Sequence, residues 1–474
     1  MARTKIVATV GPSTREPEML KRLIRLGVDV FRLNFSHGNK KDHSEMIKKI
    51  RNASGEKPIA ILGDLSGPKI RCGDFKEGAV KLKRGQPFIL TTENIPGDEG
   101  RVSVNYTPLP SEVKPGEIIF LDDGNIELKI TGIDGRNIVT EIINDGILSS
   151  RKGINLPQTS ISAAAPTVRD QEMIEFSVTE GLDMFALSFV KSPEDVRETR
   201  NAIRKAGGDA PVIAKIEKHE AIENLEGIIN EADGAMVARG DLGVEIPLQK
   251  VPVIQKRIID LCNQCGKPVI TATQMLESMI KKPRPTRAEV TDIANAIMDG
   301  TDAVMLSGET AVGKFPDKAV EFMNTVAEEI ETSQNYEIKL ENRRLAETGS
   351  VPDAISLATC EIAQSLDVSA ILCCSATGYT ARFVARYRPS CPIVVLTLRP
   401  EVQRRLNLTW GVHPFVMEEF QNDGGEVGFD AVIKRALEIA RENGFTEKGR
   451  KVVVTAGLPL GIGGTTNMLR VLEV

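Results

Sequence analysis

The chain has 474 residues, 41% hydrophobic and 26% charged, with a formal net charge of −5. That is an ordinary globular composition, but too long for one domain, so roughly two to four units are expected. The weak negative charge excludes a basic footprint for nucleic acid or an anionic membrane, and no run of about eighteen apolar residues could span a bilayer.

The N-terminus, MARTKIVATVGP, enters a β-type run almost at once and has no signal-peptide core. Seven cysteines, odd in number and irregularly spaced, predict reduced thiols in a cytoplasmic protein. Cys262 and Cys265 form a CxxC inside a helical pattern with no second pair, which reads as core packing.

In chain order, short apolar runs alternate with amphipathic ones. KIVATVG, VDVFRLNFSHG and PIAILGDLSG are strand-like, and the first two are each followed by a helical pattern. From residue 68 to about 163 the rhythm changes to Gly- and Pro-rich β pieces with recurrent turn signals (DDG, IDGRN, NDG), predicting a small all-β unit inserted into the larger one. Alternation resumes with a helix opened by Pro166 and capped by Thr167, the strand MFALSFVK, and a helix capped by Ser192. Four more strand-like runs follow: PVIAKIE, GAMVARGDLG, KPVITATQM and TDAVMLSGE.

Eight buried-type strands joined by helices predict a (β/α)8 TIM barrel over 1–67 and 164–333. The insertion, 68–163, is expected to be a small β-barrel hanging over the mouth as a lid. Residues 334–474 show a further α/β alternation and are expected to form an open-sheet domain.

The strand ends gather polar groups: Arg32, Asn34, Ser36 and His37 on the second, Asp64 on the third, and Ser188, Phe189 and Lys191 on the fourth. The fifth ends in Lys215 and Glu217, two apart and so on one face. The sixth gives Gly240 and Asp241, the seventh Thr273 and Gln274, and the eighth Ser307 and Glu309. Barrel sites sit at that face. One ammonium and two carboxylates there suit a hard divalent cation and the stabilisation of a moving phosphoryl group. GETAVGK (308–314) imitates a P-loop, but Phe315 stands where the metal-binding hydroxyl belongs, and the segment already ends a barrel strand. Trp410 could serve packing or binding near the third unit's candidate effector region.

Several segments together resemble the pyruvate kinase family: LNFSHG, ILGDLSGPKIR, SRKGINLP, AKIEKHEAIENLEGI, DGAMVARGDLGVEIP, VARYRP and the long TATQMLESMIKKPRPTRAEVTDIANAIMDGTDAVMLSGETA. The resemblance implies glycolytic phosphoryl transfer from phosphoenolpyruvate to ADP, in a homotetramer, with Mg²⁺ or Mn²⁺. By position it makes Glu217 and Asp241 the metal ligands. Lys215 and Arg32 would contact the phosphoryl group, and Gly240 the substrate carboxylate through its N–H. Thr273 lies on the route that protonates the enolate. Arg71 and Lys152, with Asn34 and His37, would meet the nucleotide.

In potassium-dependent members an Asn, a Ser, an Asp and a Thr hold K⁺. Here Asn34, Ser36 and Asp64 match, but Leu65 replaces the Thr, and Lys69 replaces a Glu nearby. Lys69 is therefore expected to take the place of K⁺, the alternative being a lysine that points to solvent.

Ser375, Ala376, Thr377, Gly378, Tyr379 and Thr380 open a helix and resemble the family's effector-phosphate loop, with GLPLGIGGTTN facing it; a sugar phosphate or nucleotide monophosphate would be the ligand. A plain helix cap and turn is the other reading of that loop. Two rival functions share the barrel pattern: another Mg²⁺-dependent 2-oxo-acid enolate enzyme, and a non-catalytic metabolite sensor.

Overall fold

The computed structural model describes residues 2–333, 349–417, 428–459 and 463–474. Eight parallel strands close into a barrel: Lys5–Thr9, Val30–Asn34, Ala60–Asp64, Met184–Leu187, Val212–Ile216, Gly234–Ala238, Val269–Ala272 and Ala303–Leu306. Each pairs with its neighbours in sequence, and the first closes onto the eighth. Because helices cover the outside and side chains fill the inside, most of these strands are buried along their whole length. The strands are shorter than the apolar runs suggest. The ladder stops at Asn34, Asp64 and Leu187, so Ser36, His37, Ser188, Phe189 and Lys191 lie on the loops beyond.

The sixth run departs from expectation. Its strand ends at Ala238, and Arg239–Glu245 is a short helix, so Gly240 and Asp241 sit in a first helical turn and not at a strand end. Pro166 also precedes its helix instead of opening it. Thr167 is the cap, in a reciprocal capping box with Asp170, and the helix runs Val168–Thr179. Ser192 caps Pro193–Lys205 in the same way with Asp195.

The insertion after the third strand holds a six-stranded sheet and a two-stranded ribbon around one core that includes Phe88, Leu90, Leu128 and Leu148. The segment 70–73 bridges the two ends of the six-stranded sheet, Arg71 to Gly153 at one end and Cys72 to Val104 at the other, so the sheet curls round on itself through that segment. The ribbon strands Ala79–Leu82 and Gly146–Ser149 pair with each other.

The C-terminal unit has a five-stranded sheet, four strands parallel and the last, Thr466–Glu473, antiparallel. It docks on the amino-terminal end of the barrel. Leu408 joins Val7, Leu62, Ile213 and Met305 in the cluster filling the barrel interior. Trp410 is 1% exposed, lies in the barrel core cluster between the guanidiniums of Arg3 and Arg388, and donates its backbone N–H to Asp302. Its role is packing at this junction.

The junction is also ionic. Asp183, with a fully buried side chain, accepts from Arg51 at 2.7 Å, from the N–H of Ile61 at 2.8 Å and from Arg404 of the C-terminal unit at 2.6 Å. Removing one partner of such a network strands the others in a dry place. Asp183→Ala should therefore cost about 3–5 kcal/mol, read as a lowered urea midpoint; an unchanged midpoint would show that the network contributes nothing. All seven cysteines are free thiols, and no described helix is long and apolar enough to cross a membrane.

Candidate active site

At the carboxyl end of the barrel, Lys215 is the centre of a buried charge cluster. Its Nζ donates to Ser188 Oγ at 2.6 Å and lies 3.3 Å from both Asp64 Oδ1 and Glu217 Oε2. Strand alternation explains the last contact: Lys215 is in the strand, Glu217 is one residue past its end, and both face inward. Arg32 completes the group, with Nε donating to Asp64 at 2.6 Å and Nη1 to Thr9 Oγ1 at 3.0 Å.

The charges set one another's protonation. Burial opposes ionisation of Asp64, but Lys215 and Arg32 outweigh it and hold the carboxyl below its usual range. Burial likewise works against the Lys215 ammonium, yet Asp64 and Glu217 prevail and raise it. Glu217 goes the other way: burial pushes its carboxyl up, Lys215 only partly offsets this, and Asp241 pushes it further. Glu217 Oε1 accepts the backbone N–H of Phe189 at 2.7 Å, whereas Oε2 is buried and accepts no hydrogen bond among the described residues. A buried carboxylate oxygen whose partner is one ammonium, at 3.3 Å, beside a second carboxylate, is the environment that a hard divalent cation relieves.

Gly240 and Thr273 meet across the sixth and seventh strands. The Gly240 N–H donates to Thr273 Oγ1 at 2.9 Å, and that hydroxyl donates to the Ala272 carbonyl at 2.6 Å. Thr273 and Gln274 both adopt positive φ, 68° and 56°. A β-branched residue is strained there. Arg239 holds the turn in place. It donates from Nε to the Ala272 carbonyl and from Nη2 to the Thr273 carbonyl, and it is paired bidentately with Asp292. A Cβ on Gly240 would lie 3.6 Å from Thr273 Oγ1, an ordinary contact. Gly240→Ala should thus melt like the parent; a clearly lowered melting temperature would show that the added methyl is not accommodated.

Two family models match the chain: "Pyruvate kinase, barrel domain" over residues 1–320 and "Pyruvate kinase, alpha/beta domain" over residues 353–472. The pyruvate kinase of Clostridium acetobutylicum is 44% identical over 99% of this chain and 99% of its own length. Pyruvate kinase 2 of Synechocystis sp. is 46% identical over 99% of this chain and 79% of its own. A Staphylococcus aureus pyruvate kinase is 43% identical over 99% and 80%. The chain belongs to the pyruvate kinase family.

The other positions expected for a pyruvate kinase are distributed less simply. Among the described residues Lys69 forms its ion pair with Asp241 and none with Asp64. Its Nζ lies 3.4 Å from Asp241 Oδ1, because Lys215 and Arg32 already occupy Asp64. Asn34 Oδ1 accepts the Ser36 N–H within its own turn, and Leu65 is fully buried, its N–H paired with the Ala186 carbonyl.

Of the nucleotide candidates, Arg71 lines a cavity of about 340 Å³ between the barrel mouth and the insertion, with Ser36, Lys69, Asn105 and Arg169. Lys152 is paired with Asp122 at 2.7 Å, and His37 is exposed on its turn, its carbonyl accepting from His43. Neither lines that cavity. Glu309 accepts the N–H groups of Leu276 and Ser307 and so serves the framework.

In the loop Ser375–Thr380, Gly378 takes the left-handed cap position before the helix Tyr379–Ala385. The Thr380 hydroxyl is buried and shares a hydrogen bond of 2.7 Å with Thr466 Oγ1. The Ser375 N–H is spent on the Leu396 carbonyl, and Tyr379 stacks on Phe383. Part of the facing loop, residues 460–462, lies outside the described residues.

Sequence reading missed Ser188 as the bridge between Lys215 and Asp64, Phe189 as the donor to Glu217, and Arg239 as the clamp on Thr273. The first two were visible only as residues at a strand end. Arg239 carried no signal, since its partner Asp292 lies 53 positions away.

Proposed function

We propose that this chain transfers the phosphoryl group of phosphoenolpyruvate to ADP, giving pyruvate and ATP, at the carboxyl end of the barrel. The observation that carries the reading is the Lys215 ammonium, buried between Asp64 and Glu217 Oε2. Glu217 and Asp241 are the residues that would hold Mg²⁺ or Mn²⁺. The cation, when bound, neutralises charge on the substrate and on the moving group.

Lys215 holds a fixed positive charge where the phosphoryl group passes, and Arg32 presents a guanidinium fork to the same oxygens. The Gly240 N–H and Thr273 hydroxyl lie together where the enolate product would form. The Thr273 hydroxyl, which accepts from the Gly240 N–H, would turn from the Ala272 carbonyl to a water that protonates carbon 3 and takes its replacement proton from solvent. Arg71, on the wall of the cavity under the insertion, would meet the nucleotide phosphates, and closure of residues 68–163 over 1–67 and 164–333 would exclude water.

Residues 334–474 would serve regulation and assembly into a cytoplasmic homotetramer. The loop Ser375–Thr380 would take a phosphorylated effector at the N-terminus of the helix Tyr379–Ala385.

Potassium is not required in this reading. The Lys215 and Arg32 charges already saturate Asp64, and the Lys69 ammonium adds repulsion at the mouth. The deciding experiment measures pyruvate formation from phosphoenolpyruvate with and without ADP and MgCl₂, in potassium-free sodium buffer. ADP- and Mg²⁺-dependent pyruvate, unchanged by added KCl, is expected. Pyruvate without ADP would favour an enolate enzyme of another kind, no pyruvate would favour a sensor, and a large gain with KCl would overturn the potassium reading alone.

A further inference from the structure

The two acids that would hold the cation reach the site from different strands. Glu217 follows the fifth strand, and Asp241 lies in the first turn of the short helix after the sixth. The ladder between those strands ends at Ile216 and Val237, so it holds neither acid directly. The two carboxylates also repel: after burial, Asp241 is the main influence pushing the Glu217 carboxyl up. Before a cation arrives, that repulsion drives the two segments apart.

Glu245 resists it. This residue closes the same short helix, four positions beyond Asp241 and so on the same face, and it is 4% exposed. Its Oε2 accepts from the Lys218 ammonium at 2.8 Å. Lys218 directly follows Glu217 and is still extended, with φ −120° and ψ 149°. Its side chain therefore leaves on the face opposite Glu217. His219 Nδ1 lies 3.3 Å from the same Glu245 oxygen, and Asn155 of the insertion donates to Oε1 at 3.3 Å. Burial opposes the Glu245 charge, but His219 and Lys218 outweigh it and hold the carboxyl below its usual range. Both charges of the Lys218–Glu245 pair are buried, and desolvation takes back much of what their attraction returns. What such a pair supplies is a fixed separation. Here it fixes the distance between the segment of Glu217 and that of Asp241.

We propose that Glu245 and Lys218 are positioning residues for the divalent cation: their buried ion pair stitches the loop that carries Glu217 to the helix that carries Asp241, and so keeps both carboxylates within reach of one ion. Neither residue touches the reacting groups. The inference rests on Glu217 and Asp241 as the holders of the cation, and it adds the contact that sets their spacing before the ion binds.

Mn²⁺ titration of the full chain without substrate, with free Mn²⁺ read from its electron paramagnetic resonance signal, tests the proposal. Glu245→Gln and Lys218→Met should each weaken Mn²⁺ binding by about tenfold to a hundredfold, the range for outer partners of metal ligands. The double variant should lose no more than the weaker-binding single one, because the stitch breaks only once. Glu217→Gln is the reference for loss of a ligand. Melting curves in EDTA identify the folded variants, and either end of the pair suffices for the test if the other variant does not fold.

Parent-like Mn²⁺ affinity in the folded Glu245 and Lys218 variants, with Glu217→Gln weakened, would overturn the inference alone. Losses that add in the double variant would overturn it too, since they would mean two independent effects. Tighter binding in Lys218→Met with weaker binding in Glu245→Gln would make Glu245 a ligand in its own right, beside His219 and Glu220, and would also overturn it. Parent-like binding in Glu217→Gln would remove the cation site itself, and the inference with it.

Discussion

Lys215→Met is expected to lower turnover by about a thousandfold or more, the scale on which a fixed charge acts on a phosphoryl transition state. The lysine is held by Ser188, Asp64 and Glu217, so it cannot swing away to solvent and its charge is in place before the reaction begins. Methionine fills a similar volume without the charge. Divalent cation binding should survive, because Glu217 and Asp241 remain, and Glu217 Oε2 loses the ammonium that competes with the cation. Single-turnover phosphoryl transfer and a Mn²⁺ titration separate the two effects. A raised Michaelis constant with unchanged turnover would mean that Lys215 binds substrate and transition state alike, contrary to the role assigned.

Glu217→Gln should have the second-largest effect, and in two directions. Cation affinity should fall by about a hundredfold or more, since changing even an outer partner of a metal ligand costs ten- to a hundredfold. Stability of the metal-free protein should not fall. Burial and the neighbouring Asp241 already disfavour the ionised carboxylate, so a neutral amide of the same shape removes a cost. Thermal melts in EDTA and Mn²⁺ titrations together decide this. A variant that melts far below the parent in EDTA would show that the Lys215 contact outweighs burial.

Much of this was legible before any coordinates. The barrel followed from short apolar runs alternating with helical ones, and Lys215 and Glu217 from a two-residue spacing that any strand would honour. The errors have physical causes. GAMVARGDLG reads as one run because apolar content carries no mark of where a ladder ends. The strand stops at Ala238, where Arg239 turns toward Asp292 and the Thr273 carbonyl.

Lys69 was expected to take the place of K⁺ because Leu65 and Lys69 depart from the residues that hold potassium in other members of the family. In space Arg32 and Lys215 reach Asp64 first, and Lys69 goes to Asp241. The strain at Thr273 and the bridge through Ser188 depend on backbone angles and on contacts between strands, which no periodicity records.

Leu408 has a consequence for how such a protein can be taken apart. Its side chain belongs to the C-terminal unit but completes the hydrophobic filling of the barrel. Trimming the chain at that boundary would uncork the barrel from below and let solvent reach Val7, Ile213 and Met305. A hybrid built by exchanging C-terminal halves between relatives would have to import a stopper of matching bulk at this position, or inherit a leaking scaffold whatever the quality of its catalytic face.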